Sequence, residues 1–138
     1  RESQIRPMGR SASGVRAIRL KRDDSVAGFD IVHGGKASAG QKLLVVMANG
    51  FAKQTPLKQY KVQNRGGSGI KTAKITPKTG KIVSSHVIAE ETEVLALSAK
   101  GQVIRTALEG VRMTGRAAQG VRIMHMKGGD RLAGVVVI

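Results

Sequence analysis

Three segments of this chain line up against one another, and a fixed internal spacing of this size dictates a repeat architecture before any local motif is weighed. Gly9-Arg10-Ser11-Ala12-Ser13-Gly14-Val15-Arg16 matches Asn64-Arg65-Gly66-Gly67-Ser68-Gly69-Ile70-Lys71 and then Gly115-Arg116-Ala117-Ala118-Gln119-Gly120-Val121-Arg122. The arginines fall 55 and then 51 residues apart. Downstream, the apolar run and glycine turn of Leu43 to Leu57 repeat in Val94 to Leu108, with Gly50 and Gly101 separated by 51 residues. The longer first spacing is assigned to a glycine-rich surface insertion around His33 to Gln41, which includes Lys36. The repeat units are about 6–60, 61–111 and 112–138.

Each complete copy reads as strand, turn, strand, loop, strand, glycine turn, strand. In the first copy the strands are expected at about Val15 to Leu20, Val26 to Val32, Lys42 to Met47 and Phe51 to Leu57. Asp23-Asp24 and Thr79-Gly80 mark the first turn of copies one and two, and Asn49-Gly50 is a strong hairpin signal. The third copy ends after two strands. Short Val-, Ile- and Leu-rich strands in fours, repeating at about 50 residues, predict an all-β fold of propeller-like blades with antiparallel strands, here about two and a half of them. A solenoid is the alternative, although its units are usually shorter.

Charge narrows the function. The 138 residues carry 24 Lys and Arg against 9 Asp and Glu, a net of +15, which points to a polyanionic partner. Nucleic acid leads over an anionic membrane, because no apolar run approaches the ~18 residues of a span and the cations do not line one helix face. Phe29, Phe51 and Tyr60 are the whole aromatic set, too few for base-stacking platforms, so affinity must come from backbone phosphates and the partner is expected to be double-stranded DNA. Without cysteine there are no disulfides and no Cys-ligated zinc. Residues 1–10 have no secretory apolar core, and the chain reads as an excised piece with a cytoplasmic, nucleoid-associated location.

The cations follow the repeat in three sets. Arg10, Arg65 and Arg116 precede the glycine-rich turn; Arg16, Lys71 and Arg122 open the first strand; Arg19, Lys74 and His125 lie near its end. With Arg105 and the turn glycines Gly66, Gly67 and Gly69 they form the candidate DNA contacts. Such sets, repeated around an axis, make a stripe that could bend a duplex without reading bases. Residues 16 and 19 differ by an odd number, so a regular strand would turn them to opposite faces.

At these residues the chain resembles the C-terminal DNA-wrapping domain of bacterial type II topoisomerases, the domain carried by DNA gyrase A and its topoisomerase IV counterpart, over nearly its whole length. Arg6-Pro7-Met8-Gly9-Arg10 with Ala12, Gly14-Val15-Arg16 and Ile18 is similar to a blade-opening motif, and Gly115-Arg116 with Gln119-Gly120-Val121 is similar to the opening of the last blade. Gln63-Asn64-Arg65-Gly66-Gly67-Ser68-Gly69 resembles the gyrase signature loop, departing at Asn64 and Ser68, where the family pattern is basic; it is either a degenerate copy, the favoured reading, or an unusual box. The resemblance implies one partial β-pinwheel domain over 1–138 that wraps DNA. Its implied partners are the rest of the gyrase A protein and an ATPase subunit, with ATP and Mg2+ used elsewhere in the parent. A stand-alone architectural DNA binder and a protein-interaction propeller are the alternatives, and pairing with another copy to complete the ring is open.

No catalytic site, cofactor or metal site is expected within this chain. Tyr60 lies at a join between copies and reads as packing or rim contact; Glu90-Glu91-Thr92-Glu93 reads as a polar loop; His33, His86 and His125 lack zinc-ligand spacing; and no phosphate-binding P-loop is present. Charge reversal at Arg65, Lys71 and Lys74 is expected to weaken duplex binding more than reversal at Lys36, as measured by fluorescence anisotropy at one salt concentration. Equal effects would argue against a stripe.

Overall fold

The computed structural model describes residues 2–32 and 40–138, so His33, Lys36 and the expected insertion at 33–39 lie outside the described residues. The fold is all-β, with antiparallel sheets, and among the described residues the helical segments are single-turn 3-10 pieces at Glu2–Gln4, Leu57–Gln59 and Leu108–Gly110. Two compact units are distinguished, residues 1–25 with 62–70 and residues 26–61 with 71–138. Among the described residues, every strand lies in the second unit: β1 (Lys42–Met47), β2 (Phe51–Pro56), β3 (Ile82–Ile88), β4 (Glu93–Ser98), β5 (Val103–Ala107), β6 (Val121–Arg122) and β7 (Leu132–Val137).

The blades are not built from consecutive strands. One sheet has the order β3-β1-β2-β6, so the β1–β2 hairpin of copy one receives its outer strands from copies two and three. The other has the order β5-β4-β7, so the copy-two hairpin receives β7 from copy three. The rule is the same in both: a hairpin supplies the centre, and the second strand of the next copy supplies one edge. Even the irregularity recurs, with a register shift at Val46/Met47 against β3 and at Leu97/Ser98 against β7, 51 residues on.

This corrects the expectation of four consecutive strands per blade. Val15 to Leu20 and Val26 to Val32, expected as strands, form none, apart from one parallel bridge between Ile18 and Gly67. Phe29 is 87% exposed despite its apolar setting.

The two sheets differ in burial because they differ in cover. In β1, Leu44 and Val46 face a core containing Ile88, Val94, Ala96, Met124 and Leu132, while Val45 and Met47 face a second cluster with Phe51 and Ala73. A strand covered on both faces reads as a continuous apolar run, as Leu43 to Met47 does. β4 instead buries Val94, Ala96 and Ser98 at alternate positions, the pattern of one covered face.

The hairpin turn Met47 to Gly50 shows why its last residue is glycine. Gly50 has φ +79°, its N–H donates to the Met47 carbonyl, and its carbonyl accepts from Ile123 and Met124. A Cβ there would sit 2.1 Å from the Met124 carbonyl oxygen, whereas at Gly101, with φ +83°, it would meet nothing within 4 Å. Gly101→Ala should therefore cost only the left-handed strain, about 1–2 kcal/mol, while Gly50→Ala should cost about 3 kcal/mol or more because backbone must also shift. Urea unfolding of the two variants measures the difference.

Candidate nucleic-acid interface

Within the first unit, the turn carrying Arg65 docks on the opening segment of copy one. The Gly66 N–H donates to the Ala17 carbonyl at 2.8 Å, and the Arg19 N–H donates to the Gly67 carbonyl at 2.8 Å. Arg16, Arg19 and Arg65 are all exposed at this junction, and Arg10 is exposed on its own turn, closed by Ala12 N–H to Gly9 carbonyl. Gln63, Asn64, Arg65, Gly67 and Gly69 line a half-open cleft of about 410 Å3 together with Ile5, Met8, Val15 and Ile18. The Gly66 amide thus serves the docking of the loop and is not presented to a phosphate, although Gly66 and Gly69 do have the left-handed φ that the glycine-rich loop requires.

The second unit repeats the junction one copy on. The Lys74 N–H donates to the Ala118 carbonyl at 3.1 Å, and the turn is closed by Ala118 N–H to Gly115 carbonyl. Arg116 Nη1 donates to the Lys71 carbonyl at 3.2 Å. The turn of one copy therefore brings its arginine to the first segment of the copy before it, gathering Lys71, Lys74 and Arg116. The three sequence-defined sets are mixed by this docking, with members of different sets and different copies meeting at one place.

The facing problem posed by odd spacing is resolved by the same geometry. Lys71 and Lys74 flank buried Ala73, and Arg122 and His125 are exposed around buried Met124, because these segments leave regular strand geometry after at most two residues. Arg122 also lies over the Phe51 ring, 5.0 Å from guanidinium carbon to centroid, and bonds to His125 Nδ1 at 3.3 Å. Lys78 approaches the same ring, with Nζ 5.8 Å from the centroid.

Arg105 stands apart from these junctions. It forms an ion pair with Glu93, the only ion pair among the described residues. The cations of the two junctions consequently have no carboxylate within ion-pairing distance among the described residues, and clustered uncompensated cations create a positive potential suited to a polyanion. Glu91 is occupied locally, its Oε2 accepting from the Ala89 and Glu90 N–H groups, which hold its carboxyl below the usual range.

One functional candidate escaped the sequence reading. Lys53, in the middle of β2, is fully buried, and its Nζ donates to the carbonyls of Gly115 and Arg116, each at 2.7 Å. Burial, and secondarily the nearby Arg116 charge, lower its pKa to about 8. The available signal was the alignment of copies, in which Lys53 stands where the next hairpin has Ile104. Its neighbour Gln54 ties the same strand to the Leu108 and Val111 carbonyls.

The remaining candidates have local partners. The Tyr60 hydroxyl bonds to Thr72 Oγ1 at 2.6 Å, and His86 Nε2 bonds to Ser84 Oγ at 2.6 Å. Among the described residues no three His, Cys, Asp or Glu side chains are grouped to hold a metal, and no helix is long and apolar enough to cross a membrane.

This fold has counterparts in known proteins. A family model described as the DNA gyrase C-terminal domain, beta-propeller, matches residues 1–33, 41–89 and 92–138. DNA gyrase A of Staphylococcus aureus strain MRSA252 is 40% identical over 135 residues, which make up 98% of this chain and 15% of that protein. The chain thus spans about 15% of the length of the curated relatives it matches. The structure of a DNA gyrase A C-terminal domain superposes with a TM-score of 0.81 at 25% identity, covering 97% of this chain and 44% of that one. The C-terminal domain of a DNA topoisomerase IV shares the fold, with a TM-score of 0.76 at 23% identity over 88% of this chain and 36% of the other. With a family match over nearly every residue and a gyrase A relative at this identity, the chain belongs to the DNA gyrase C-terminal domain family of β-propellers.

Proposed function

We propose that this chain binds duplex DNA through its phosphate backbone, without reading bases, and bends it as the wrapping module of a type II topoisomerase. The observation that carries this reading is the repeated junction: Arg16, Arg19 and Arg65 in one unit, and Lys71, Lys74 and Arg116 in the other, each held by the same backbone bond from the first segment of one copy to the turn of the next. Arg10 and Arg122 extend these contacts. Gly66, Gly67 and Gly69 act by shaping the loop that carries Arg65. Arg105 contributes only to the extent that DNA displaces it from Glu93.

The three copies form one partial β-pinwheel domain in this reading, and its chemistry is geometric. The module would present a second duplex segment to a cleavage gate in the rest of the gyrase A protein, with ATP consumed by a separate ATPase subunit, in the cytoplasm at the nucleoid. A topoisomerase IV parent is the nearest alternative, since both kinds of C-terminal domain share this fold. The outer edge of β5 has no partner strand among the described residues, and a strand from another copy could pair there.

Smooth bending of a site of about 20–30 bp costs roughly 1–6 kcal/mol, which counterion release from several phosphates can offset. If about eight phosphates are neutralised, log affinity should fall with log salt at a slope near −7. Titration of a labelled duplex at several salt concentrations measures this, and a slope near zero would rule out wrapping.

A further inference from the structure

A lysine in the middle of a buried hairpin strand needs a reason. The equivalent hairpin β4–β5 closes with Ile104 at the same repeat position, so the hairpin itself does not require a cation there. Taking an ammonium out of water is costly, and an apolar residue of similar size is often the more stabilising choice. What Lys53 adds is a pair of bonds to the turn that carries Arg116, made by the one group on β2 that reaches both the Gly115 and the Arg116 carbonyls.

We propose that Lys53 is a positioning residue for duplex binding: by clamping the carbonyls of Gly115 and Arg116 it holds the Arg116 guanidinium at the junction with Lys71 and Lys74, and it thereby links binding to its own protonation. This rests on the DNA reading given above. Three constraints converge on the turn. Lys53 holds its first two carbonyls, Arg116 Nη1 is engaged by the Lys71 carbonyl, and Gly120 at its end lies so close to β2 that a Cβ there would stand 2.4 Å from the Ala52 carbonyl oxygen. With backbone fixed on both sides, Arg116 meets a phosphate without first losing the freedom of a loose turn, which is the general gain from preorganisation.

The link to protonation follows from the charges around Lys53. The turn presents Arg116, and behind it the 71–74 segment presents Lys71 and Lys74; the residue opposite Lys53 on β1 is Val45, which is uncharged. No carboxylate forms an ion pair with Lys53 among the described residues. Burial first, and then the Arg116 charge, bring its proton off at about pH 8 in the free protein. A phosphate at Arg116 offsets that repulsion and raises the affinity of Lys53 for its proton. Binding should therefore take up a proton above pH 8, and duplex affinity should fall as pH rises through that range.

The test uses the whole chain and a labelled linear duplex of about 20–30 bp. Affinity is measured from about pH 7 to 9.5 at constant ionic strength, bracketing the Lys53 pKa of about 8, and proton uptake by titration calorimetry in two buffers of different ionisation enthalpy. The wild type should weaken several-fold across this range and take up protons at about pH 8.5. Lys53→Met should bind about fivefold more weakly at neutral pH, the loss of roughly one charge-assisted contact, and should show no pH dependence in this window. Arg116→Ala, which keeps Lys53 and changes a surface side chain, should lose the proton uptake. A folded Lys53→Met chain with wild-type affinity and wild-type pH profile would overturn the proposal. If that variant does not fold, an Arg116→Ala chain taking up as many protons as the wild type would overturn it instead. A wild type that binds duplex with a flat pH profile removes this proposal alone, whereas a wild type that does not bind duplex at any pH removes the DNA reading beneath it.

Discussion

The exchange of strands between sequence copies is the constraint on which everything else in this molecule depends. A two-stranded hairpin is at best marginally stable in water, because its edges and at least one face remain wet. Here the β1–β2 hairpin is completed by β3 from the second copy and β6 from the third, and the β4–β5 hairpin by β7. The main core consequently takes Leu44 from copy one, Val94 from copy two and Met124 from copy three. No copy could bury its own apolar residues alone, so the three fold as an interdependent set.

Docking between copies also arranges the charge. The glycine-rich turns of the second and third copies lie alongside the first segment of the copy before, fixed there by an N–H to carbonyl bond, Arg19 to Gly67 in one unit and Lys74 to Ala118 in the other. The arginine at the head of the turn is carried along, to a place already holding two cations. Such clusters oppose folding through mutual repulsion, and among the described residues no carboxylate pairs with them. Their repetition in the same backbone setting is what a ligand with regularly spaced negative charge would select.

Much of this was legible in the sequence. The hairpin strands at 42–47 and 51–56 lie where the Asn49-Gly50 turn and the flanking apolar runs place them, since turn chemistry and alternation are local properties. The members of the cation sets were also visible, because aligning copies within one chain needs no structure. Which copies pair was not visible: strands of similar Val- and Ile-rich composition can be joined in sequence order or exchanged, and composition does not distinguish the two. Val15 to Leu20 has the composition of a strand, yet only Ile18 makes a bridge, to Gly67. Arg105 belongs by sequence with the candidate DNA contacts and is taken up by Glu93 across its own hairpin.

By itself the sequence determined the repeat, the glycine turns, the hairpins and the basic surplus, all of which are set by residues near one another along the chain. Only the tertiary structure decided which edges those hairpins share, which cations meet at a junction and where Lys53 ends up. Pairings between strands of different copies depend on the burial of a common core, and a lysine whose two acceptors lie 62 and 63 residues away shows its role only once that core has closed around it.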